Sequence, residues 1–416
     1  MGSLETLKVP VMDFTKPGAL NPGSPEWDSL KVQVKEALKE YGCFQALYNK
    51  VPEELHKALF GAAEELFDLP THIKKLNVCT QPLRGYICHK YPTVVEGMGV
   101  EGADVFDEVE NFTKTFWPQG NPNFRFVIYN LQSVIILRIP ISFVPVISNA
   151  KMDAHDFIWI MWNPRFHIIQ VRHSSHKTIH SFSREVVELE KMVCRMVFES
   201  LGVEKYLQKH MDSTDYLLKF MKYSPLDQNT AASTGPHIGL PSHTDKSTIS
   251  ILYDNEVGGL ELQTKNGEWI SIQLSPDKFF VLIGDVFHAW SNGHLHTPYH
   301  RVTKRGKETR YSAQLFSTPK EGHLVKVPEE LVDEQHPLLF KPFCHDELNR
   351  FYVASHASGK FDATITDYCG VDRKRSTINI IFFFIVALML SDLFWTWFQT
   401  DRSGSATTMF VGTKRV

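Results

Sequence analysis

The apolar positions of this chain change period twice. In the first third, Trp27, Leu30, Val34, Ala37, Leu38 and Tyr41 recur at helical spacing and stop at Gly42, which predicts one amphipathic helix with its apolar stripe turned inward. A second helix is expected from Pro52, with Leu55, Leu59, Ala62 and Leu66 on one face, because proline suits a first turn where its missing amide hydrogen is not needed. A third is expected from about Ser183 through Val186, Leu189, Val193, Met196 and Val197 to Gly202. From about Leu217 to Phe316 the period drops to two, and Thr248–Tyr253, Leu260–Gln263, Trp269–Ile272 and Phe279–Ile283 read as strands. Asn266-Gly267 signals a tight hairpin, and Asn292-Gly293 is a second candidate. Short strands joined by such turns predict an antiparallel sandwich or barrel. After Pro328 the helical pattern returns and ends near Gly370. The expected fold is therefore α+β, a sandwich or barrel flanked by N- and C-terminal helices, and a double-stranded β-helix (a cupin-like jelly roll) is one such closure.

Two stretches fit neither period. Residues 126–176 are rich in Ile, Val and Phe, but Pro interruptions break every run. After Asp372 comes Ile380–Leu390, wholly apolar, flanked by Arg373, Lys374 and Arg375 and followed by Asp392. Roughly 20 apolar residues span a bilayer; this run is shorter, and a buried aspartate is costly in lipid. Membrane contact is expected only if residues 378–398 form an anchor. The chain divides into an N-terminal helical region (1–125), an apolar insert (126–176), a helical support (177–210), the catalytic core (211–325), C-terminal helices (326–371) and the hydrophobic tail (372–416).

With 416 residues, 43% of them hydrophobic and 12% aromatic, the chain can bury a large core. Its formal net charge of −3 comes from 22% charged residues of mixed sign, so no basic footprint for nucleic acid is present and a small-molecule substrate is expected. The six cysteines are scattered without a CxxC pair, and the start MGSLETLKVPVMDF lacks a secretory apolar stretch. Reduced thiols, a cytoplasmic location and a monomer are the expectation. Gly2 and Thr6 fit the loose N-myristoylation pattern, but one acyl chain without a polybasic patch anchors only marginally.

The sharpest chemistry lies in His243-Thr244-Asp245 with His300 downstream. Two imidazoles and one carboxylate on one face of an ion are the donor set of an open ferrous site. On a strand, His243 and Asp245 would point the same way, and His300 would come from a neighbouring strand. His210-Met211-Asp212 also fits the HxD pattern but reads as a surface helix terminus. Downstream, Arg310-Tyr311-Ser312 places a guanidinium and a hydroxyl on one strand face. A guanidinium fork pairs bidentately with a carboxylate, which suits the distal end of 2-oxoglutarate while its keto-acid end reaches the metal.

The string HTD…HRV…RYS resembles plant 2-oxoglutarate-dependent dioxygenases. The resemblance extends to Val9–Phe14 (VPVMDF), Tyr41–Phe44 in place of the usual Gly-Phe-Phe, Arg84-Gly85-Tyr86, Leu217–Tyr223 (LLKFMKY), Ser291-Asn292-Gly293 and Tyr368-Cys369-Gly370. More narrowly, the stretches MKY, ILYDNEVGGLELQTK, LFSTPKEGH and ELVDEQHPLLFKPF resemble the AOP subgroup, whose named members modify glucosinolate side chains. The resemblance implies a jelly-roll core, iron(II) on His243, Asp245 and His300, and 2-oxoglutarate on Arg310, Ser312 and Tyr223. It also implies an aromatic at Phe316 packed against substrate, O₂ as the second co-substrate, and ascorbate as a candidate reductant. The implied reaction is hydroxylation or desaturation of a small specialised plant metabolite, with release of succinate and CO₂. Met221 and Ser224 depart from the Asn and Pro common at those positions. Three alternatives stay open: an oxidase of the same fold that does not use 2-oxoglutarate, a catalytically silent protein, and a metal-binding cupin without redox chemistry. Relatives run directly from a segment like Asn123–Arg125 into one like Lys177–Ser181 and stop near Gly370. Residues 126–176 are accordingly expected to be translated intron and 372–416 read-through; abundant peptides from either stretch of native protein would overturn this.

Overall fold

The computed structural model describes residues 9–82, 84–89, 94–119, 159–160, 169–170, 175–226, 237–304 and 307–372. The apolar tail falls outside the described residues, as does the insert apart from residues 159–160, 169–170 and 175–176. Met1–Cys369 form one unit, and Gly370–Val416 are separate from it. Among the described residues no helix is long and apolar enough to cross a membrane.

The chain opens with β1 (Val11–Asp13), α1 (Pro25–Glu40), β2 (Cys43–Leu47), α2 (Glu53–Asp68), α3 (Thr71–Lys74), β3 (Ile87–His89), β4 (Val95–Glu101) and α4 (Phe106–Phe116). The two-residue strands β5 (Trp159–Ile160) and β6 (Ile169–Gln170) pair with each other, and α5 (Ser175–Ser200) and α6 (Leu207–Asp212) follow. Then come β7 (Thr214–Tyr223), β8 (His237–His243), β9 (Ile249–Asp254), β10 (Leu260–Gln263), β11 (Trp269–Ile272), β12 (Lys278–Ile283) and α7 (Asp285–Trp290). The chain closes through β13 (His300–Lys304), β14 (Arg310–Pro319), β15 (Leu324–Val325), β16 (Phe343–Cys344), α8 (His345–Ala357) and α9 (Ile365–Cys369).

Local chemistry explains the first helix. Ser24 Oγ accepts the amide of Trp27 at 3.0 Å, so one of the orphan donors at the helix start is satisfied. Trp27, Leu30, Val34, Ala37 and Leu38 are its buried stripe. The chain leaves it through Gly42, at φ +69°, where a Cβ would lie 2.3 Å from the His296 carbonyl oxygen; only glycine accepts both the conformation and the approach.

An eight-stranded sheet runs β1-β2-β12-β9-β14-β7-β4-β3, and a four-stranded sheet runs β11-β10-β13-β8. Alternation sorts the long central strands. Leu218 and Phe220 of β7, Ile251 and Tyr253 of β9, and Ala313 and Leu315 of β14 belong to one core with Phe182, Val186, Leu189 and Val193 of α5. The opposite face meets the smaller sheet: Leu252, Phe280 and Leu282 pack with Leu260, Leu262 and Ile272, and Met221 and Tyr223 with Val302. Two sheets, antiparallel apart from the parallel β1–β2 pair, close face to face with helices covering the larger one and make a jelly roll, one of the closures open to the strand pattern.

The differences are informative. The N-terminal third is not only helical, since β1 to β4 extend the large sheet on both sides. Helix α5 begins at Ser175, earlier than its apolar stripe suggests. The hairpin at Asn266-Gly267 forms, but through a longer link in which Gly267 alone takes a positive φ of 84° and donates to Thr264. Asn292 and Gly293, at φ 53° and 80°, end α7 instead of joining two strands.

Candidate metal centre and co-substrate pocket

Strand β8 ends on His243 and β13 begins on His300, and the antiparallel register pairs these two residues directly. Their rings lie 4.3 Å apart. Each Nε2 is 3.7 Å from Asp245 Oδ1, and ligand atoms of all three residues lie within 4.8 Å of one another. The Nδ1 of His243 faces the Pro241 carbonyl at 2.8 Å and that of His300 the Pro298 carbonyl at 3.4 Å. A carbonyl only accepts, so each Nδ1 carries the proton and each Nε2 turns a lone pair toward the shared point. Burial, helped by the neighbouring His300, holds His243 at about 4, so its ring is neutral near pH 7. Burial would raise the Asp245 carboxyl, but the adjoining imidazoles outweigh it and hold it below its ordinary value.

Strand alternation is not what orients Asp245, which lies beyond the end of β8. Its backbone carbonyl instead accepts the amide of Asp285 at 2.7 Å. The Asp285 side chain, 2% exposed, accepts from Thr244 Oγ1 at 3.1 Å, Lys246 Nζ at 2.8 Å and Tyr352 Oη at 2.8 Å through one oxygen. Its other oxygen accepts from Thr297 Oγ1 at 3.2 Å. The residues on either side of Asp245 are thus tied to α7 and α8. Sequence reasoning missed Asp285; its place in the first turn of a helix was the available signal.

Further along the same interior face, β14 sets Arg310 opposite Tyr223 and Ser312 opposite both Met221 and Asp254. Arg310 Nη2 donates to Asp254 Oδ2 at 2.9 Å, a pair buried on both sides, and the guanidinium sits 5.2 Å from the Tyr223 ring centre. Burial pushes the Tyr223 phenol up, with Arg310 opposing. Ser312 Oγ accepts from Gln314 Nε2 at 3.4 Å. Asp254, also missed from sequence, fixes one edge of the guanidinium and leaves the rest directed elsewhere. Phe316 faces Leu217 and Ser250 in the register, on the same interior face but beyond the Arg310 end. Lys219 of β7 lies between these regions; burial lowers its ammonium to about 8, with the Asp245 carboxylate opposing.

A second convergence involves Glu190, Cys194 and His210. The HxD at His210 is at a helix end as expected, but its ring is not a surface group: it packs against Phe198, Phe287 and Trp290. Tyr216 Oη donates to Glu190 Oε2 at 3.0 Å and Cys194 Sγ to Oε1 at 3.2 Å, so both carboxylate oxygens are engaged.

Among the described residues, the buried polar atoms without a hydrogen-bond partner include four at this site: Asp245 Oδ2, Tyr223 Oη, Arg310 Nε and Arg310 Nη1. Each would cost about 1–3 kcal/mol if left so. A cation beside the carboxylate and two imidazole lone pairs, and a carboxylate beside the guanidinium and phenol, would satisfy all four. The residues present therefore fit iron(II) and 2-oxoglutarate.

Comparison with known proteins agrees. The 2OG-Fe(II) oxygenase superfamily matches residues 214–319, and the N-terminal region called "non-haem dioxygenase in morphine synthesis N-terminal" matches residues 9–123. The "Probable 2-oxoglutarate-dependent dioxygenase AOP1.2" of Arabidopsis thaliana is 38% identical over 348 residues, 83% of this chain and 91% of that protein. The crystal structure of the rice dioxygenase for auxin oxidation superposes with a TM-score of 0.63 at 23% identity, covering 88% of this chain and 100% of that one. The dioxygenase for auxin oxidation 1 of Arabidopsis thaliana, in its binary complex with 2-oxoglutarate, gives 0.59 at 20% identity over 79% and 100%. These two share the fold, and the AOP-type relative carries the likeness across both the N-terminal region and the core: the chain belongs to the 2-oxoglutarate-dependent dioxygenases of the AOP type.

Proposed function

We propose that His243, Asp245 and His300 hold iron(II), that Arg310, Ser312 and Tyr223 hold 2-oxoglutarate, and that the enzyme hydroxylates or desaturates a small specialised metabolite. The observation that carries this reading is the set of four unpartnered buried atoms, Asp245 Oδ2, Tyr223 Oη, Arg310 Nε and Arg310 Nη1, gathered on one barrel interior. When bound, iron(II) with 2-oxoglutarate and O₂ supplies the oxidising power, and succinate and CO₂ leave.

The chain's own residues supply position and exclusion of water. The two Nδ1–carbonyl contacts hold both imidazoles with Nε2 inward. Asp285 holds the turn that carries Asp245. Asp254 holds one edge of Arg310, so the free Nε and Nη1 meet the distal carboxylate already oriented, which lowers the entropy lost on binding. Tyr223, with its phenol kept protonated by burial, donates a further hydrogen bond there. Met221, where many relatives carry Asn, offers no such bond, so the load on Arg310 and Tyr223 is greater. Phe316 is the aromatic surface for the substrate. All six cysteines are unpaired, which supports a reducing, cytoplasmic setting, and the enzyme works as a monomer.

Anaerobic titration of the purified chain with Fe(II) and 2-oxoglutarate tests the reading. One iron and one 2-oxoglutarate per chain are expected, with succinate formed on admitting O₂. Failure of 2-oxoglutarate to bind the iron-loaded protein would sink it.

A further inference from the structure

Away from the metal centre, a cavity of about 280 Å³ lies between α6, α7 and the link from β14 to β15. None of His243, Asp245, His300, Arg310, Ser312 and Tyr223 lines it, so the reaction proposed above leaves it unused. Ligand pockets begin at roughly 300 Å³, and the space therefore suits one small molecule, such as a single ring with a short side chain.

Part of the wall is apolar and already in place. The rings of Phe287 and Trp290 lie 5.4 Å apart and pack on Phe198 at 6.0 and 4.5 Å, while Val325 and Val327 add aliphatic surface. An occupant meets these groups with little ordering left to do. Water filling the whole space would keep that surface wet, at about 25 cal/mol per Å² of apolar area. Thr248, 1% exposed, also stands in the wall, and its hydroxyl has no partner. Its amide donates to the Ser317 carbonyl at 2.8 Å and its carbonyl accepts the Gly284 amide at 3.0 Å. The backbone there is satisfied and the side chain is not, so the wall is incomplete without an occupant.

The charged part of the lining is mostly cationic. Lys209 of α6 and Lys326 are exposed residues, which puts their ammonium groups toward the mouth. Burial and the nearby Lys209 charge lower the His323 imidazole, so near pH 7 it is neutral and keeps an N–H to donate. Against these groups the lining holds one carboxylate, Glu329, which Lys326 already meets at 3.2 Å. Two ammonium groups less one carboxylate leave a single positive charge beside an apolar wall. A cation is repelled there, and a neutral apolar molecule uses the wall alone.

We infer that this cavity is a second ligand site, separate from the metal centre, for a small aromatic carboxylic acid. The ring lies against Trp290, Val325 and Val327, and the carboxylate accepts from Lys209 and His323.

The full chain is titrated calorimetrically with benzoate, phenylacetate and 4-hydroxybenzoate, each beside its primary amide as the neutral counterpart. The titrations are repeated with saturating 2-oxoglutarate and on His243→Ala, which lacks a candidate iron ligand. At least one acid is expected to bind once per chain, about tenfold tighter than its amide, and equally under all three conditions. Exposed charge pairs are worth up to about fivefold each, so K209Q should weaken binding about threefold and K209Q/K326Q about tenfold. E329Q, which releases Lys326, should tighten binding about threefold, a gain that a damaged fold does not produce. Failure of all three acids to bind at millimolar concentration, equal binding of the amides, or unchanged affinity in K209Q/K326Q would overturn the inference. So would displacement by 2-oxoglutarate or loss of binding in His243→Ala, either of which puts the acid in the barrel instead.

Discussion

Among the described residues, two places bring metal-binding residue types together within 4.8 Å, His243–Asp245–His300 and Glu190–Cys194–His210, and they differ in what their carboxylates are doing. Asp245 keeps one buried oxygen without a partner, whereas Glu190 accepts from Tyr216 and Cys194 on its two oxygens. At the first group both imidazoles are turned by backbone carbonyls so that their lone pairs converge. At the second, His210 Nε2 meets Cys194 Sγ at 3.7 Å inside an aromatic cage. A cavity of about 280 Å³ touches His210 but neither Glu190 nor Cys194. Residue type and proximity therefore do not make a site; unsatisfied atoms aimed at one point do. One cluster keeps a buried carboxylate oxygen unpartnered beside two imidazoles, and the other is a closed polar network that joins α5 to α6 and β7.

The comparison can be broken in several ways. The largest effect is expected from His243→Ala. Iron content should fall from one per chain toward zero, and 2-oxoglutarate turnover should drop by at least about a thousandfold, ~4 kcal/mol of transition-state stabilisation. Cys194→Ala, measured for iron in parallel, should keep full metal content; losing it would erase the distinction. Next, Arg310→Ala should raise the KM for 2-oxoglutarate by roughly a hundredfold, as expected for losing charge-assisted hydrogen bonds of about 3 kcal/mol. An unchanged KM would mean that the wrong co-substrate has been assigned.

At the closed network the expected loss is in stability. Glu190→Ala leaves the Tyr216 and Cys194 donors buried and opens a void, so it should destabilise the protein by about 2–3 kcal/mol in urea unfolding with iron content unchanged. The same network carries a pH signature. Burial lowers His210 from an ordinary 6.5 to about 4, so between those values the unfolded chain binds more protons than the folded one. The stability it confers is complete above about 6.5 and is lost as pH falls through that window, about 2 kcal/mol by pH 5. Unfolding of His210→Phe at pH 7 and 5 should show a correspondingly smaller acid loss than wild type; an identical loss would assign it to other groups. The smallest effect belongs to Asp285→Asn, which weakens the support of the Asp245 turn without touching a ligand. Iron affinity should fall about tenfold, measured by competition with a chelator.

Legibility from sequence followed the range of the forces involved. The first helix was readable because its cap and stripe are local, and β10 and β11 were found at their observed bounds because alternation and a turn signal act over a few residues. Strand β4 escaped because VEGMGVE carries two glycines where side chains would mark the period, and β8 because HIGLPSH contains both Gly and Pro. The ligand motif was visible as letters, and so was Arg310. Asp254 was not, because its meaning lies in register: it meets Arg310 across 56 positions of chain.

By itself, the sequence determined the jelly-roll class and the family, and it singled out His243, Asp245, His300 and Arg310 as the candidate site residues. Composition, period and motif are properties of short stretches, and such properties survive without a folded chain. Only the tertiary structure decided which of two HxD motifs presents an unsatisfied carboxylate, and that the Asp245 turn is held by Asp285. Hydrogen-bond satisfaction and exposure depend on atoms brought from distant parts of the chain, and those partners exist only once the two sheets have closed.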